Sequence, residues 1–308
     1  MAAAAGIWQD ERWIWETSVV AEKLEVKEAA GLLAFLRGHL PGWSGATVKQ
    51  RLRAGCVRVN GRAVTRHDHA LAPGDTVEIT AVRDAPRPPA ELDILFADRD
   101  LVAIAKPAGL LSVGTAQERR VHALALLRRQ LARRAPAVRL WPVHRIDQGT
   151  SGVLLFATSH GMREAVMERW DEAEKTYLAV VAGRPDPPRG TIDQPLRPDK
   201  EIYRMHVGAH PDARPAVTHY RTERAAPGRS LLRVWLETGR QHQIRAHLAW
   251  LGCPVVGDPR YGTAGPRLGL HALRLQISHP RTGEILLFEA LPPDDFLALI
   301  EPPPGKKP

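Results

Sequence analysis

Asp147 lies shortly before a segment that the sequence predicts to be a buried strand. It lies in the stretch HRIDQGTSG, residues 144–152, and the apolar run VLLFA follows at once. Such a run predicts a strand, and the Gly-Thr-Ser-Gly segment before it predicts a tight turn. A carboxylate in this position can be a metal ligand, a nucleophile or base, or one half of a structural ion pair.

Residue types and spacing narrow these options. His144 is the nearby donor for a metal, but His242 and His247 are five residues apart, unlike the spacing of four in a helical zinc-binding pair. No metal site is therefore expected. An acid/base pair of two carboxylates would need a second acid, and Asp258 in VVGDPRYG is a candidate. However, Asp258 lies in a Gly-Pro turn, where aspartate is often structural. On residue type alone a structural ion pair is favoured for Asp147, and a single reactive carboxylate is the alternative.

Composition favours a polyanionic partner. The 308 residues include 43 Lys and Arg against 34 Asp and Glu, a formal net charge of +9. Arginine binds phosphate through two parallel hydrogen bonds, although solvated basic faces are the alternative explanation. The two cysteines, Cys56 and Cys253, form no Cys-x-x-Cys pair, which indicates a reducing compartment. Without a secretory signal pattern or a run of about 18 apolar residues, we expect a soluble cytoplasmic protein that does not enter the membrane.

The chain is predicted to contain two domains. Residues 1–20 form a tryptophan-rich extension, residues 21–82 a small N-terminal domain of helices and strands, and residues 83–91 a proline-rich linker. Residues 92–300 form the main domain, and residues 301–308 a disordered tail. Because strands and helices do not alternate regularly in the main domain, we expect an α+β fold with a mostly antiparallel or mixed central sheet flanked by helices.

Hydrophobic periodicity predicts the elements of the main domain. Strands are expected at VLLFAT, TYLAVVAG, SLLRVWLE and EILLFEA, and two more in LDILFADRDLVAIAKP around a turn at Asp98–Asp100. Residues 121–134 predict an amphipathic helix with arginines on its polar face. Further helices are expected near residues 161–173 and 241–251.

The N-terminal domain combines helical and strand patterns. Leucines at helical spacing predict one helix, and Thr47 to Ala54 predict a second with Ser44 or Thr47 as its cap. The stretch CVRVNGRAV predicts a hairpin that turns at Asn60-Gly61. The basic residues of this region are predicted to bind RNA phosphates, with a solvated face as the alternative: Lys49, Arg51, Arg53 and Arg58.

The same region resembles a known RNA-binding module. The segment LRAGCVRVNGRAV, followed by LAPGDTVEI, is similar to the alpha-L module named after ribosomal protein S-four. It departs from that pattern at Ser44-Gly45, where a Ser-Arg pair is common. The resemblance implies that residues 21–82 bind RNA.

Five ordered segments of the main domain resemble the pseudouridine synthases of the RluA family, which act on large-subunit rRNA and tRNA. HRIDQGTSGVLLFA is similar to the family's catalytic motif, with Ile146 in place of the commoner leucine. The other segments are AKPAGLLSV, EKTYLAVVAG, TGRQHQIRAHL, and PVVGDPRYG with LHALRLQISHPRTGE. Residues 184–216 match nothing in this pattern, and we expect substrate choice to depend on them.

The resemblance implies an isomerase that breaks the N-glycosidic bond of a uridine in RNA, rotates the uracil and rejoins it through carbon 5. Neither a cofactor nor a metal is implied. Asp147 would be the essential carboxylate, acting either as a nucleophile that forms an ester or by promoting a glycal-like intermediate. Arg245 would neutralise and orient it, with a phosphate contact as the alternative. Tyr177 would stack on the uracil and take part in removing the carbon 5 proton, with a core role as the alternative.

Further site residues fall into two groups. Arg145, directly ahead of Ile146 and Asp147, would fill the gap left by an extruded base or bind a phosphate, with a salt bridge at the strand edge as the alternative. The other predicted RNA-binding residues of the main domain are Lys106, Lys175 and Arg240, with a structural role as the alternative for Lys106 and for Lys175. A structural or supporting role is expected for His144, Thr150, Gly152, His242 and Gln243, with Thr150 and Ser151 bonding the loop backbone.

The favoured target is large-subunit rRNA, and tRNA is the alternative within the same enzyme class. A non-catalytic RNA-binding or ribosome-assembly factor on the same scaffold is the alternative from another class. The presence of Asp147, Tyr177 and Arg245 together argues against it. The sibling class with a Gly-Arg-Leu-Asp motif fits less well, because His144 and the His-Gln-Ile-Arg-Ala-His string differ from it. A monomer is expected.

Overall fold

The computed structural model describes residues 22–53, 56–64, 66–79, 89–114, 121–133, 139–199, 201 and 203–301. The predicted extension at 1–20 lies outside these residues, as do residues 83–88 of the predicted linker and 302–308 of the predicted tail. The chain divides into two compact units, residues 1–84 and 85–308. No helix within the described ranges is long and apolar enough to cross a membrane.

The first unit is built from short strands and two helices. Its described elements are β1 (Glu22–Glu25), β2 (Ala30–Gly31), α1 (Leu32–His39), α2 (Gly45–Arg53), β3 (Val57–Val59), β4 (Arg62–Ala63), β5 (Ala70–Leu71) and β6 (Thr76–Ile79). Four strands form an antiparallel sheet in the order β1-β6-β3-β4, and β2 pairs with β5.

Local sequence explains the elements of the first unit. The Ser44 Oγ accepts a hydrogen bond from the Thr47 N–H at 3.1 Å, so Ser44 caps α2 as predicted. Asn60 and Gly61 both have positive φ angles, 50° and 75°, as a two-residue hairpin turn requires. Leucines and valines of both helices and of the sheet bury one common core, which includes Leu36 and Val77.

The second unit contains one large sheet with helices on both faces. Its described elements are β7 (Asp93–Ala97), β8 (Leu101–Lys106), α3 (Ala123–Ala132), β9 (Trp141–Pro142), β10 (Ser151–Ala157), α4 (His160–Glu168), a 3-10 turn (Trp170–Glu172), β11 (Glu174–Ala182), β12 (Arg189–Asp193), β13 (Leu196–Asp199), β14 (Arg204–Val207), β15 (Val217–Ala226), β16 (Arg229–Leu236), α5 (Gln243–Trp250), β17 (Leu270–Ser278), β18 (Ile285–Glu289) and α6 (Asp294–Leu297).

The large sheet is mixed. Its strands follow the order β12-β15-β16-β11-β17-β10-β8-β7, with β9 added to β10 and β18 to β17. The pair β10–β17 is parallel, whereas the other pairs of this sheet are antiparallel. The predicted α+β class with a mostly antiparallel or mixed sheet is therefore confirmed.

Burial on both faces of β10 explains the unbroken apolar run that follows the HRIDQGTSG stretch. Val153 and Leu155 pack in the core that α4 covers, whereas Leu154 and Phe156 pack in the core that α3 covers. A strand buried on both faces cannot alternate apolar and polar residues. On the other half of the sheet, α5 covers one face of β11 and β16, and α6 packs against the opposite face.

Candidate active site

A pocket opens where the turn before β10, the strand β11 and the start of α5 come together. The strand β17 lies between β10 and β11 and brings their residues close together. Its residue Ala272 pairs with Gly152 of β10 on one side and with Tyr177 of β11 on the other. The pocket is lined by Arg145, Ile146, Asp147, Thr150, Tyr177, Leu236, Gly239, Arg240, Gln241, His242, Gln243, Ile244, Arg245 and Leu270.

The turn that carries Asp147 is defined by close backbone packing. The Thr150 N–H donates to the Asp147 carbonyl oxygen at 3.1 Å. Gly152 follows with φ of +115°, and a Cβ at this position would lie 2.1 Å from the carbonyl oxygen of Ala272. Only glycine fits this close approach between β10 and β17. The glycine at position 152 is therefore required by the packing of β10 against β17.

Arg245 bridges two carboxylates. Its Nη1 donates to Asp147 Oδ2 at 2.8 Å, while its Nε and Nη2 donate to the two oxygens of Asp258 at 2.7 and 2.9 Å. Burial by itself would lower the pKa of Arg245, but the hydrogen bonds and charges of the two carboxylates raise it. The Arg245 guanidinium therefore stays charged and is held in one orientation.

Asp258 is the main partner that the sequence did not reveal. Its side chain is fully buried, and its Oδ1 also accepts from the N–H groups of Arg260 and Tyr261, at 2.9 and 3.2 Å. Burial raises the pKa of Asp258, but its hydrogen bonds to Arg245 outweigh that effect, so the pKa is lowered. The structural turn predicted for Asp258 is present. The turn composition, however, contained no sign that a buried arginine would lie within reach.

His242 and Gln243 hold the start of α5. His242 has a positive φ of 52°, and its Nε2 lies 3.9 Å from Asp147 Oδ1. Burial lowers the pKa of His242 to about 4, although the Asp147 charge opposes this shift. The Gln243 side chain accepts from Thr238 Oγ1 and the Arg240 N–H, and donates to the Val217 carbonyl. These contacts are consistent with the supporting roles predicted for both residues.

Tyr177 contributes one wall of the pocket. It is half-buried, and burial together with the Asp147 charge raises the pKa of its phenol to about 12. The phenol therefore stays protonated at neutral pH. A neutral, partly exposed ring is suited to stacking on a base.

The predicted RNA-binding residues of this unit are not all placed together. Arg145 and Arg240 are exposed and line the pocket, and Arg240 Nε donates to the Pro215 carbonyl at 3.1 Å. Lys175 does not line the pocket. Its Nζ lies 5.2 Å from the centre of the Trp170 ring.

Lys106 is buried, which does not fit a contact with RNA phosphate and favours the alternative of a structural role. It is 1% exposed, and its Nζ donates to the carbonyls of Leu110 at 2.7 Å, Pro107 at 2.9 Å and Gln148 at 3.3 Å. Burial lowers the pKa of Lys106 to about 7, while the Asp147 charge acts in the opposite direction. The structure thus places the ammonium beneath the turn that carries Asp147 and not on the surface.

Three further polar residues lie around the turn that carries Asp147: His144, Thr150 and Ser151. His144 Nε2 accepts from the Leu155 N–H at 3.1 Å, and burial lowers the pKa of His144 to about 4. The expectation that Thr150 and Ser151 bond the loop backbone through their hydroxyls is wrong. Ser151 Oγ contacts His271 Nδ1 at 2.8 Å and accepts from Arg267, whereas Thr150 Oγ1 has no partner among the described residues.

The remaining predicted RNA-binding residues belong to the first unit. The Arg51 guanidinium lies 5.2 Å from the centre of the Trp43 ring, and Arg58 is half-buried on β3. The side chains of Lys49 and Arg53 lie outside the described part of the chain.

Across the described ranges, no three His, Cys, Asp or Glu side chains cluster in a way that could hold a metal ion.

Comparison with known proteins gives a consistent result. Residues 100–250 match the family model of RNA pseudouridylate synthases. The uncharacterized RNA pseudouridine synthase YlyB of Bacillus subtilis is 36% identical over 283 residues, which cover 87% of this chain and 92% of the relative. Ribosomal large subunit pseudouridine synthase D of Nitrosomonas europaea is 33% identical over 284 residues, covering 85% of this chain and 81% of the relative.

A solved structure shares the fold of much of this chain. Human RNA pseudouridylate synthase domain containing 4 matches with a TM-score of 0.57 and 25% identity, over 68% of this chain and 91% of the human chain. The matched family region includes the aspartate, tyrosine and arginine that meet in the pocket. On this sequence similarity, which extends over most of its length, the chain belongs to the RNA pseudouridine synthases, isomerases that convert uridine in RNA to pseudouridine.

Proposed function

We propose that this enzyme isomerises specific uridines of large-subunit ribosomal RNA and that Asp147 is its essential carboxylate. The observation that carries the assignment is the 2.8 Å contact between Arg245 Nη1 and Asp147 Oδ2 in the wall of the pocket. The choice of ribosomal RNA rests on relatives named ribosomal large subunit pseudouridine synthase D, with tRNA as the alternative. A monomeric, cytoplasmic enzyme is part of the same proposal.

The proposed reaction exchanges two bonds of the same nucleotide. The bond between C1′ and N1 breaks, a bond between C1′ and C5 forms, and C5 loses a proton while N1 gains one. No electrons or groups leave the nucleotide, so we expect no cofactor. Asp147 either attacks C1′ to form an ester or promotes loss of uracil to a glycal-like species. Both routes need a carboxylate held in one orientation, which the bridging Arg245 provides.

We assign the other pocket residues to base handling. A uridine within an RNA stem has to leave its stack to reach Asp147, at a cost of a few kcal/mol. Tyr177 would stack on the extruded uracil, and Arg145 on the pocket rim would fill the gap or bind a phosphate. The raised pKa of the Tyr177 phenol favours the stacking role over service as a base in its ionised form.

Asp147→Asn tests the catalytic assignment. A strain lacking the gene is complemented with wild type, Asp147→Asn or Asp212→Asn, and pseudouridines are mapped in its ribosomal and transfer RNA. Asp212 is 83% exposed, so Asp212→Asn is a matched control away from the pocket. We expect wild type and the control to restore one or more pseudouridines in large-subunit rRNA and Asp147→Asn to restore none.

Three outcomes would contradict parts of the proposal. Restored modification by Asp147→Asn would remove this residue from catalysis, and restored sites in tRNA alone would reassign the substrate. If wild type restores no pseudouridine in any RNA, the non-catalytic RNA-binding factor becomes the better explanation.

We also propose that the first unit is an S-four-like RNA-binding domain. Support comes from two helices followed by the β3–β4 hairpin and the closing strand β6, in the order of that module. If Lys49 and Arg53 bind phosphates, the double variant Lys49→Ala/Arg53→Ala binds RNA more weakly. In a plot of the logarithm of the RNA-binding constant against the logarithm of the salt concentration, the slope should then become less steep by about 0.7–0.9 for each phosphate that the variant no longer neutralises. Lys27→Ala/Arg37→Ala, a double variant that removes the same amount of charge, should keep the wild-type slope.

A further inference from the structure

The hydroxyl of Thr150 is a buried polar group that has no hydrogen-bond partner among the residues that the structure describes. The residue is 1% exposed, and its Oγ1 makes no hydrogen bond within the described part of the chain. A buried hydroxyl that has given up water without gaining a protein partner destabilises the folded state. Its presence in a folded enzyme therefore calls for a physical reason.

The neighbouring polar groups of the catalytic turn are satisfied. The Thr150 N–H donates to the Asp147 carbonyl, Ser151 Oγ contacts two partners, and Arg245 uses three of its nitrogens. Among the buried side-chain nitrogen and oxygen atoms that the structure describes, only the hydroxyls of Thr150 and Thr222 lack a partner. The unsatisfied state is thus specific to these two positions.

The two threonines differ in location. Thr150 lies three residues after Asp147 and lines the pocket together with Asp147, Tyr177 and Arg245. Thr222 lies on β15 at an irregularity in its pairing with β16 and is not a lining residue of the pocket. Thr150 therefore lies in the pocket wall beside Asp147, whereas Thr222 lies elsewhere in the sheet.

We propose that Thr150 is a substrate-contacting residue whose hydroxyl forms its hydrogen bond with the target uridine of the RNA. A hydroxyl can donate and accept, and uridine offers oxygen atoms on both the uracil and the ribose. Rotation about χ1 exchanges Oγ1 with the methyl group while the turn stays in place. The hydrogen bond that is missing in the free enzyme is then made in the complex.

This inference rests on the proposed function and has a distinctive consequence. Thr150→Val preserves the shape of the side chain and removes the unpaired hydroxyl. The free enzyme should gain stability, whereas the complex should lose a hydrogen bond. A purely structural role of the hydroxyl would instead make stability fall in the Val variant.

The experiment compares wild type with Thr150→Val, Thr150→Ser and Thr222→Val. Activity is measured by tritium release from [5-³H]uridine-labelled ribosomal RNA of a strain lacking the gene, and stability is measured as Tm without RNA. We expect Thr150→Val to lower kcat/KM about tenfold, the effect of removing one hydrogen bond, and to raise Tm by roughly 2–4 °C. Thr150→Ser, which keeps a hydroxyl, should retain kcat/KM close to wild type. Thr222→Val should raise Tm and leave kcat/KM unchanged.

Two results would overturn the inference while leaving the proposed function intact. In the first, Thr150→Val keeps the wild-type kcat/KM. In the second, Thr150→Ser is as slow as Thr150→Val, so that the hydroxyl is not the group that matters. If the wild-type enzyme itself releases no tritium, the proposed function fails, and this inference fails with it.

Discussion

Arg245 binds two carboxylates that differ in exposure, and this difference assigns them different tasks. Asp258 is fully buried and takes two parallel hydrogen bonds, which fix the plane of the guanidinium. Asp147 is 26% exposed and takes the remaining Nη1 at 2.8 Å. The buried ion pair between Asp258 and Arg245 therefore fixes the position of the guanidinium. Asp147 is the carboxylate that a substrate can reach.

Asp258→Asn should disrupt the buried ion pair with Arg245. The amide carries no charge, and its NH2 group would face N–H donors of Arg245, so the buried guanidinium keeps Asp147 as its single anionic partner. We expect a loss of about 3 kcal/mol in the free energy of unfolding, measured by urea denaturation, together with a large fall in kcat. Glu289→Gln removes a carboxylate from a half-exposed pair with Arg274 and should stay close to wild type. Equal stabilities for the two variants would contradict the role given to Asp258.

At the scale of elements, the loop after β8 supports the turn that carries Asp147. The Lys106 ammonium donates to the carbonyls of Leu110 and Gln148, so it connects the two segments. Ser112 exchanges hydrogen bonds with the backbone of Ile146, at 2.7 Å to its carbonyl and 3.2 Å from its N–H. The Gly109 N–H donates to the Gln148 carbonyl at 2.8 Å. Residues on both sides of Asp147 are thereby tied to one neighbouring loop.

Lys106→Met tests this support. The variant keeps the length of the side chain but leaves the carbonyls of Pro107 and Leu110 without their ammonium donor, which should loosen both segments. We expect faster amide hydrogen exchange at residues 109–112 and 146–150 and a lower kcat, with the overall fold retained. Lys175→Met, the same change at a lysine beside Trp170 and not bonded to either of these segments, is the control. Wild-type exchange rates in Lys106→Met would show that the loop does not depend on the ammonium.

At the scale of the whole molecule, sequence patterns predict what depends on local chemistry. Apolar runs in the sequence indicated the strands β8, β10, β11, β16 and β18. Turn-forming residues indicated the hairpin turn at Asn60-Gly61 and the turn before β10. The parallel contact between Ser151 and His271 joins positions 120 residues apart, which no local pattern encodes. For the same reason the burial of Lys106 and the role of Asp258 could not be inferred, because both depend on groups brought close only by the folded sheet.

Buried histidines should make the stability of the second unit sensitive to acid. Burial lowers the pKa of His144 and of His242 from 6.5 to about 4, and it also lowers the pKa values of His247 and His271. Between pH 6.5 and 4 the unfolded chain binds protons that the folded chain does not, so the free energy of unfolding falls as the pH falls. Each of the first two histidines should contribute about 3 kcal/mol to the free energy of unfolding over this window, since one pKa unit corresponds to about 1.4 kcal/mol.

Urea denaturation at pH 7.5 and pH 5 should show this decrease in the free energy of unfolding. The variant His144→Gln, whose side chain can still accept from the Leu155 N–H, should show a smaller decrease. A free energy of unfolding that stays constant between these two pH values would mean that the histidines take up protons without leaving their buried positions.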